Sequence, residues 1–116
     1  MDISCAFATS SGSPAHVELA ETLGYKHAWL YDSPALYPDV WMVLSRCAER
    51  TLRIGLGPGV LVPSLRHPMV NAAAIAELVD QAPGGSWWQS AQALPAGWLW
   101  ASGRCPGGRS PSTYAA

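Results

Sequence analysis

T-L-R-I-G-L-G-P-G-V-L-V-P-S-L-R-H-P-M-V-N-A-A-A-I-A-E-L-V-D-Q-A-P-G, residues 51–84, contains a strand, a loop broken by Gly and Pro, and a helix in immediate succession. Leu52–Gly57 has the short apolar pattern of a buried strand, and Gly57-Pro58-Gly59-Val60 ends it with backbone that a ligand can approach closely. A helix opens after Pro68 and carries Ala73, Ile75, Ala76, Leu78 and Val79. The stretch is one β/α unit whose strand end faces a ligand.

The same alternation precedes it. Ile3–Phe7 reads as the first strand. Pro14–Leu23 reads as a helix, with Ser13 as N-cap, Pro14 at its first position and Gly24 as its stop. His27–Tyr31 reads as the second strand. After D-S-P-A-L-Y-P, Asp39 is placed to cap a helix in which Trp41, Val43, Leu44, Cys47 and Ala48 recur at helical spacing as far as Arg50. Apolar strands alternating with helices over short connections predict an α/β fold, with parallel strands joined by right-handed crossovers.

Folds of this class bind ligands at the C-terminal ends of their strands. Those ends are Ala-Thr-Ser-Ser-Gly at 8–12, Tyr31-Asp32-Ser33, and Gly57-Pro58-Gly59-Val60. Asp32 is an ionisable residue directly after an apolar strand. It either accepts hydrogen bonds from a cofactor or substrate, or serves as the turn aspartate of Asp-Ser-Pro. The glycines at 55, 57 and 59 do not make a dinucleotide fingerprint, because Val60-Leu61-Val62-Pro63 continues extended where that motif needs a helix to begin. They serve a ligand, or only a bulge and tight packing. His67 precedes the third helix as an anion contact or a helix-start residue, while His16 and His27 fall on a helix surface and at the start of a strand.

Composition removes several function classes. The chain has 116 residues, is 49% apolar and has net charge −1, which describes one small globular domain. Seven Lys/Arg scattered among eight Asp/Glu give neither a nucleic-acid footprint nor a polybasic membrane patch. Cys5, Cys47 and Cys105 have no paired or metal-like spacing, so the expected setting is the reducing cytoplasm and no metal is expected. No Gly-x-Ser-x-Gly motif or Lys-bearing phosphate loop is present.

Three ordered blocks carry a resemblance: A-E-T-L-G-Y-K-H-A-W-L-Y-D (20–32), A-E-R-T-L-R-I-G-L-G-P-G-V (48–60) and P-S-L-R-H-P-M-V-N-A-A-A-I-A-E-L-V-D-Q-A-P-G (63–84). Together they resemble the bacterial-luciferase-like family of flavin- or deazaflavin F420-dependent oxidoreductases. The resemblance covers roughly residues 1–84 and implies a truncated (β/α)8 TIM barrel with about three β/α units present. It also implies a non-proline cis peptide at Gly59-Val60 that backs the cofactor ring, with Asp32, Ser33, Gly59 and Val60 as cofactor-binding residues. Some members have a histidine near position 33. Ser33 stands there in this chain, which leaves the catalytic acid/base unassigned. F420 or FMN and a small-molecule substrate are implied for the intact family, as monooxygenase or hydride-transfer chemistry, with an oligomer compatible and no nucleic acid or membrane. The fragment alone is expected to bind no cofactor and to be inactive.

Composition changes abruptly after Pro83. All eight acidic residues and the single Lys lie at or before Asp80, and residues 85–116 hold Trp87, Trp88, Trp98 and Trp100 among Gly, Pro and Ser without periodicity. This tail is expected to be disordered. Codons permitted for residues 84–108 can be read in a neighbouring frame as R-V-V-V-A-V-G-T-G-F-T-G-R-L-A-M-G-Q-R-P-M-P-W, a strand followed by a glycine-rich loop. That is what the family places after A-P-G, so a frameshifted C-terminus is the expectation. The alternative is a small non-catalytic interaction module that binds a partner through its Trp-rich tail.

Overall fold

The computed structural model describes residues 1–82. The tail at 85–116, with its expected disorder and the module reading built on it, lies outside the described residues. The elements are β1 (Ser4–Phe7), α1 (Ser13–Thr22), β2 (His27–Leu30), α2 (Val40–Arg50), β3 (Gly55–Pro58), a 3-10 turn at Pro63–Leu65, and α3 (Pro68–Gln81). The three strands form one parallel sheet in the order β1-β2-β3, with Ser4, His27 and Gly55 in register and Phe7, Leu30 and Pro58 in register. This is the α/β class read from the sequence: three consecutive β/α units.

Period-two alternation sends successive side chains to opposite faces of the sheet. Ala28, Leu30 and Leu56 are buried on the helix side together with Val17, Val43, Leu44, Cys47 and Leu78, and Cys5 and Phe7 pack against this core. Helix α2 supplies most of its helical part, burying Val40, Trp41, Val43, Leu44, Cys47 and Ala48 along one stripe. Full burial of a Val or Leu side chain stabilises by about 1.5–3 kcal/mol, so this stripe holds α2 against the sheet. Leu44 is fully buried in this stripe, and its truncation would open a cavity at that contact. The opposite face carries Ser4 and Ala6 on β1, His27 and Trp29 on β2, and Gly55 and Gly57 on β3. On it the His27 and Trp29 rings stack at 5.9 Å.

Local signals placed most boundaries correctly. Gly24 follows α1 with φ +90°, a conformation that favours glycine. Asp39 caps α2 as expected, its Oδ1 accepting from the amides of Trp41 at 3.0 Å and Met42 at 3.1 Å. His67 starts α3, its Nδ1 accepting from the Met69 amide at 3.2 Å. Two assignments need correction. Ser13 is the first residue of α1 and Gly12 is its N-cap. The Ser13 hydroxyl turns back into the preceding loop, accepting from the Ser10 amide at 2.9 Å and donating to the Ala8 carbonyl at 3.0 Å. Strand β3 is Gly55–Pro58 instead of Leu52–Gly57. The amides of Leu52, Arg53 and Ile54 all donate to the Glu21 carboxylate at 2.9–3.2 Å, so they do not enter the sheet ladder.

Candidate functional site

Consecutive parallel strands point their C-terminal ends the same way, so the loops after β1, β2 and β3 share one edge. Bonds between these loops fix the edge. Thr9, buried after β1, donates from its hydroxyl to the Pro38 carbonyl at 2.7 Å. The Gly59 amide donates to the Leu30 carbonyl at 2.7 Å, and the Val62 amide donates to Asp32 Oδ2 at 3.0 Å. Asp32, Gly59 and Val60 are thus brought together at one edge, as their positions after strands two and three predict.

The chain after β3 forms a bulge rather than a helix. The Gly59–Val60 peptide is cis, where the sequence resemblance places it. A Cβ on Gly59 would stand 2.8 Å from the Cβ of Trp29, so close approach of the bulge to β2 requires glycine here. Val60 is 80% exposed at the tip, while Leu61 beside it turns into the core. No α-helix begins until Pro68, which argues against pyrophosphate binding of the dinucleotide-fingerprint kind at these glycines.

Asp32 is buried, and both its oxygens are engaged within the chain. The Arg66 guanidinium donates from Nη1 to Asp32 Oδ2 at 2.9 Å and from Nη2 to Oδ1 at 2.8 Å, a two-pronged pair, while Val62 adds its amide. Arg66 also donates to Asp39 Oδ2, from Nη2 at 2.8 Å and from Nε at 3.3 Å. Burial pushes the Asp32 carboxyl up, but the Arg66 guanidinium and the Val62 amide more than reverse this, and it is held below its ordinary value. The Arg66 guanidinium is driven further up, mainly by its bonds to Asp32. Ser33 lies next to this cluster in sequence, half-buried, with its carbonyl accepting from Leu36 and Tyr37 in a turn.

The sequence alone does not pair Arg66 with Asp32. One signal pointed to it: it is the only charged residue from Ile54 to Ala76, placed just ahead of His67-Pro68. Asn71 was also passed over. Its side chain is fully buried, with Oδ1 accepting from the Trp41 indole at 2.8 Å and tying α3 to α2. His16 is exposed in the first turn of α1 and stacks on Phe7 at the end of β1, while His27 opens β2 at the opposite edge, and neither shares in the Asp32–Arg66–Asp39 bonds. Among the described residues no group of three or more His, Cys, Asp and Glu can hold a metal, and no helix is long and apolar enough to cross a membrane.

Comparison with known proteins agrees with this fold. The luciferase-like monooxygenase family matches residues 11–89 of this chain. The chain is 39% identical over 69 residues to 5,10-methylenetetrahydromethanopterin reductase of Methanopyrus kandleri, covering 60% of this chain and 19% of the relative. The structure superposes with a TM-score of 0.65 and 30% identity on the coenzyme F420 dependent tetrahydromethanopterin reductase from Methanopyrus kandleri, over 72% of this chain and 24% of that one. The chain therefore spans 19–24% of the length of these relatives, and its three β/α units correspond to part of a TIM barrel. A family match over more than half of the sequence, with the same fold at 30% identity, makes this chain a member of the luciferase-like oxidoreductase family.

Proposed function

We propose that this chain is the portion of an F420-dependent oxidoreductase that forms one wall of the cofactor site, with the bulge at 59–62 as the surface behind the deazaflavin ring. The observation that carries the reading is the pinned bulge: exposed Val60 beside side-chain-free Gly59, held at the shared strand edge by Leu30 and Asp32. These residues suit a flat, uncharged ring. Val60 offers apolar surface, the peptide planes around it offer close van der Waals contact, and the nearby guanidinium of Arg66 is already committed to two carboxylates. F420, when bound, supplies the hydride chemistry, and the protein supplies orientation and exclusion of water. Asp32 acts from behind the bulge through Val62 and Arg66, while Ser33 and the Val60 tip are the groups at this edge left to meet the ligand.

The sequence and the structure comparisons each point to a methanopterin reductase of Methanopyrus kandleri, in the structure a coenzyme F420 dependent one, which favours F420 over FMN and hydride transfer over oxygen activation. A small-molecule substrate and a cytoplasmic setting complete the proposal. Free Cys5 and Cys47 support the latter. We also propose that residues 85–116 are out-of-frame sequence and that 1–84 is the barrel portion. Resequencing the coding DNA around codon 84 tests this. Restoring one nucleotide is expected to extend the frame into further β/α units. The extended protein, titrated with F420 and with FMN and followed by absorbance, is expected to bind F420 more tightly. Tighter FMN binding would overturn the cofactor assignment, and no binding of either would overturn the reading of the bulge.

A further inference from the structure

We propose that Arg66 is the positioning residue of the site: its guanidinium ties the loop after β3 to the carboxylates that end β2 and begin α2, and so sets how the 59–62 bulge is presented. The proposal deepens the cofactor-wall reading and rests on it for its functional meaning, but its structural content stands on this chain's own bonds. Asp39 Oδ1 caps α2 while its Oδ2 accepts from Arg66. Asp32 Oδ1 accepts from Arg66, and its Oδ2 accepts from both Arg66 and the Val62 amide. One guanidinium thus couples the first turn of α2, the end of β2 and the bulge. The side chain of Asp32 is fully buried and that of Arg66 is 12% exposed, so water cannot substitute for either partner.

An anion-binding role is the competing use of a lone arginine at a strand edge, and the charges oppose it. One guanidinium between two carboxylates leaves the cluster at −1, and four of the five guanidinium N–H donors are already taken at 2.8–3.3 Å. An arginine arranged in this way holds protein to protein. The planar fork is also what the geometry needs. A lysine carries the charge but cannot donate in parallel to Asp32 while still reaching Asp39.

The test is amide hydrogen exchange on the full chain, comparing wild type, Arg66→Lys and Arg66→Met. Val62 and its neighbours in the bulge are read against Ala28 and Leu30 of β2 as an internal control. Wild type is expected to protect the Val62 amide. Arg66→Met is expected to speed exchange at 60–62 at least tenfold more than at Ala28 and Leu30, and Arg66→Lys to recover less than half of that protection. Equal acceleration at bulge and strand in both variants would make Arg66 a general stability residue, and protection fully retained in Arg66→Lys would remove the need for a fork. A wild-type chain whose Val62 amide exchanges as fast as an unstructured one would also overturn the proposal. A second arm measures F420 binding by the frame-restored, extended protein with and without the same substitutions. Local loosening without any F420 binding by the extended wild type leaves the positioning role standing and removes the cofactor reading, whereas F420 binding unchanged in extended Arg66→Met despite a loosened bulge removes the functional meaning of the role.

Discussion

Two carboxylates hold the two ends of the β3 unit, and they do it differently. At the N-terminal end Glu21 gathers the three consecutive amides of Leu52, Arg53 and Ile54 with its own oxygens; among the described residues no cation is hydrogen-bonded to it, and the charge of Arg53 acts on it only through space. At the C-terminal end Asp32 is buried, paired with Arg66, and spends only one bond on a backbone amide, that of Val62. The first arrangement anchors a chain segment at a largely wet edge. The second fixes the position of a bulge whose tip remains exposed. The contrast follows the division of labour common to β/α folds, in which one edge serves stability and the other carries the ligand loops.

Removing the Asp32 side chain tests that contrast most severely. Asp32→Ala leaves the Arg66 guanidinium facing a vacated buried site with Asp39 as its remaining partner, so the loss is expected at the low end of that for a broken buried pair, about 3 kcal/mol. Chemical denaturation is expected to show a loss of that size, larger than the loss for Glu21→Ala. A smaller loss than at Glu21 would reverse the ranking of the two edges.

Next in size is Gly59→Ala, whose new methyl group meets Trp29 at 2.8 Å. Overpacking of this kind costs about 1–3 kcal/mol. If the contact is the cause, Trp29→Leu combined with Gly59→Ala is expected to be less destabilised than the two single changes added together, as read by a double-mutant cycle. Glu21→Ala should follow at about 1.5 kcal/mol, the scale of hydrogen bonds to a charged group. Its effect is expected to appear as faster exchange at Leu52–Ile54 with the Val62 amide unchanged.

Acid sharpens the comparison further. Burial acts to raise both carboxyls, yet backbone amides at Glu21, and Arg66 with the Val62 amide at Asp32, hold both below their ordinary values. A carboxylate depressed on folding contributes stability that is present above its unfolded pKa, about 4, and is lost as pH falls through the lower folded value. Stability is therefore expected to be flat near neutrality and to decline below about pH 4. Glu21→Gln and Asp32→Asn should each flatten part of that decline in denaturation curves measured against pH. A steeper decline in either variant would contradict the sign.

The smallest effect concerns reactivity. Burial pushes the Cys47 thiol up to about 12, with Arg46 and Arg50 opposing only part of the shift. In the folded chain at pH 8, iodoacetamide is expected to leave Cys47 unmodified, and denaturant should expose it. Mass spectrometry of the labelled chain distinguishes the two states.

The sequence made the periodic parts of the fold legible. Apolar spacing found α2, the proline before Met69 found the start of α3, and Gly24 marked the stop of α1, because each is a local consequence of backbone or side-chain chemistry. The sequence places the start of β3 too early because Leu52–Ile54 look like strand in isolation. What withdraws them from the ladder is Glu21, a contact 31 residues away for Leu52 that no local pattern encodes. Ser13 has the chemistry of a cap, but its hydroxyl found better partners in the loop before it. At the candidate site the strand ends and the cis bond were legible, the former from topology and the latter from family likeness. The pairing of Arg66 with Asp32 was not, since it joins residues 34 positions apart and depends on a loop path that only the folded chain defines.

The tight approach of Trp29 to Gly59 also restricts how this edge can change over successive substitutions. Trp29 shares its face and its register with Gly57, and Gly59 follows on the same strand end, so the indole occupies room that side chains at its neighbours would need. A step that enlarges position 59 while the tryptophan remains is blocked by collision. A step that first shrinks position 29 is open, but it passes through an intermediate with a hollow beneath the bulge. The two positions can therefore be redesigned only in that order or at once, and the shape of the barrel mouth here is in effect a single heritable unit spread over two strands.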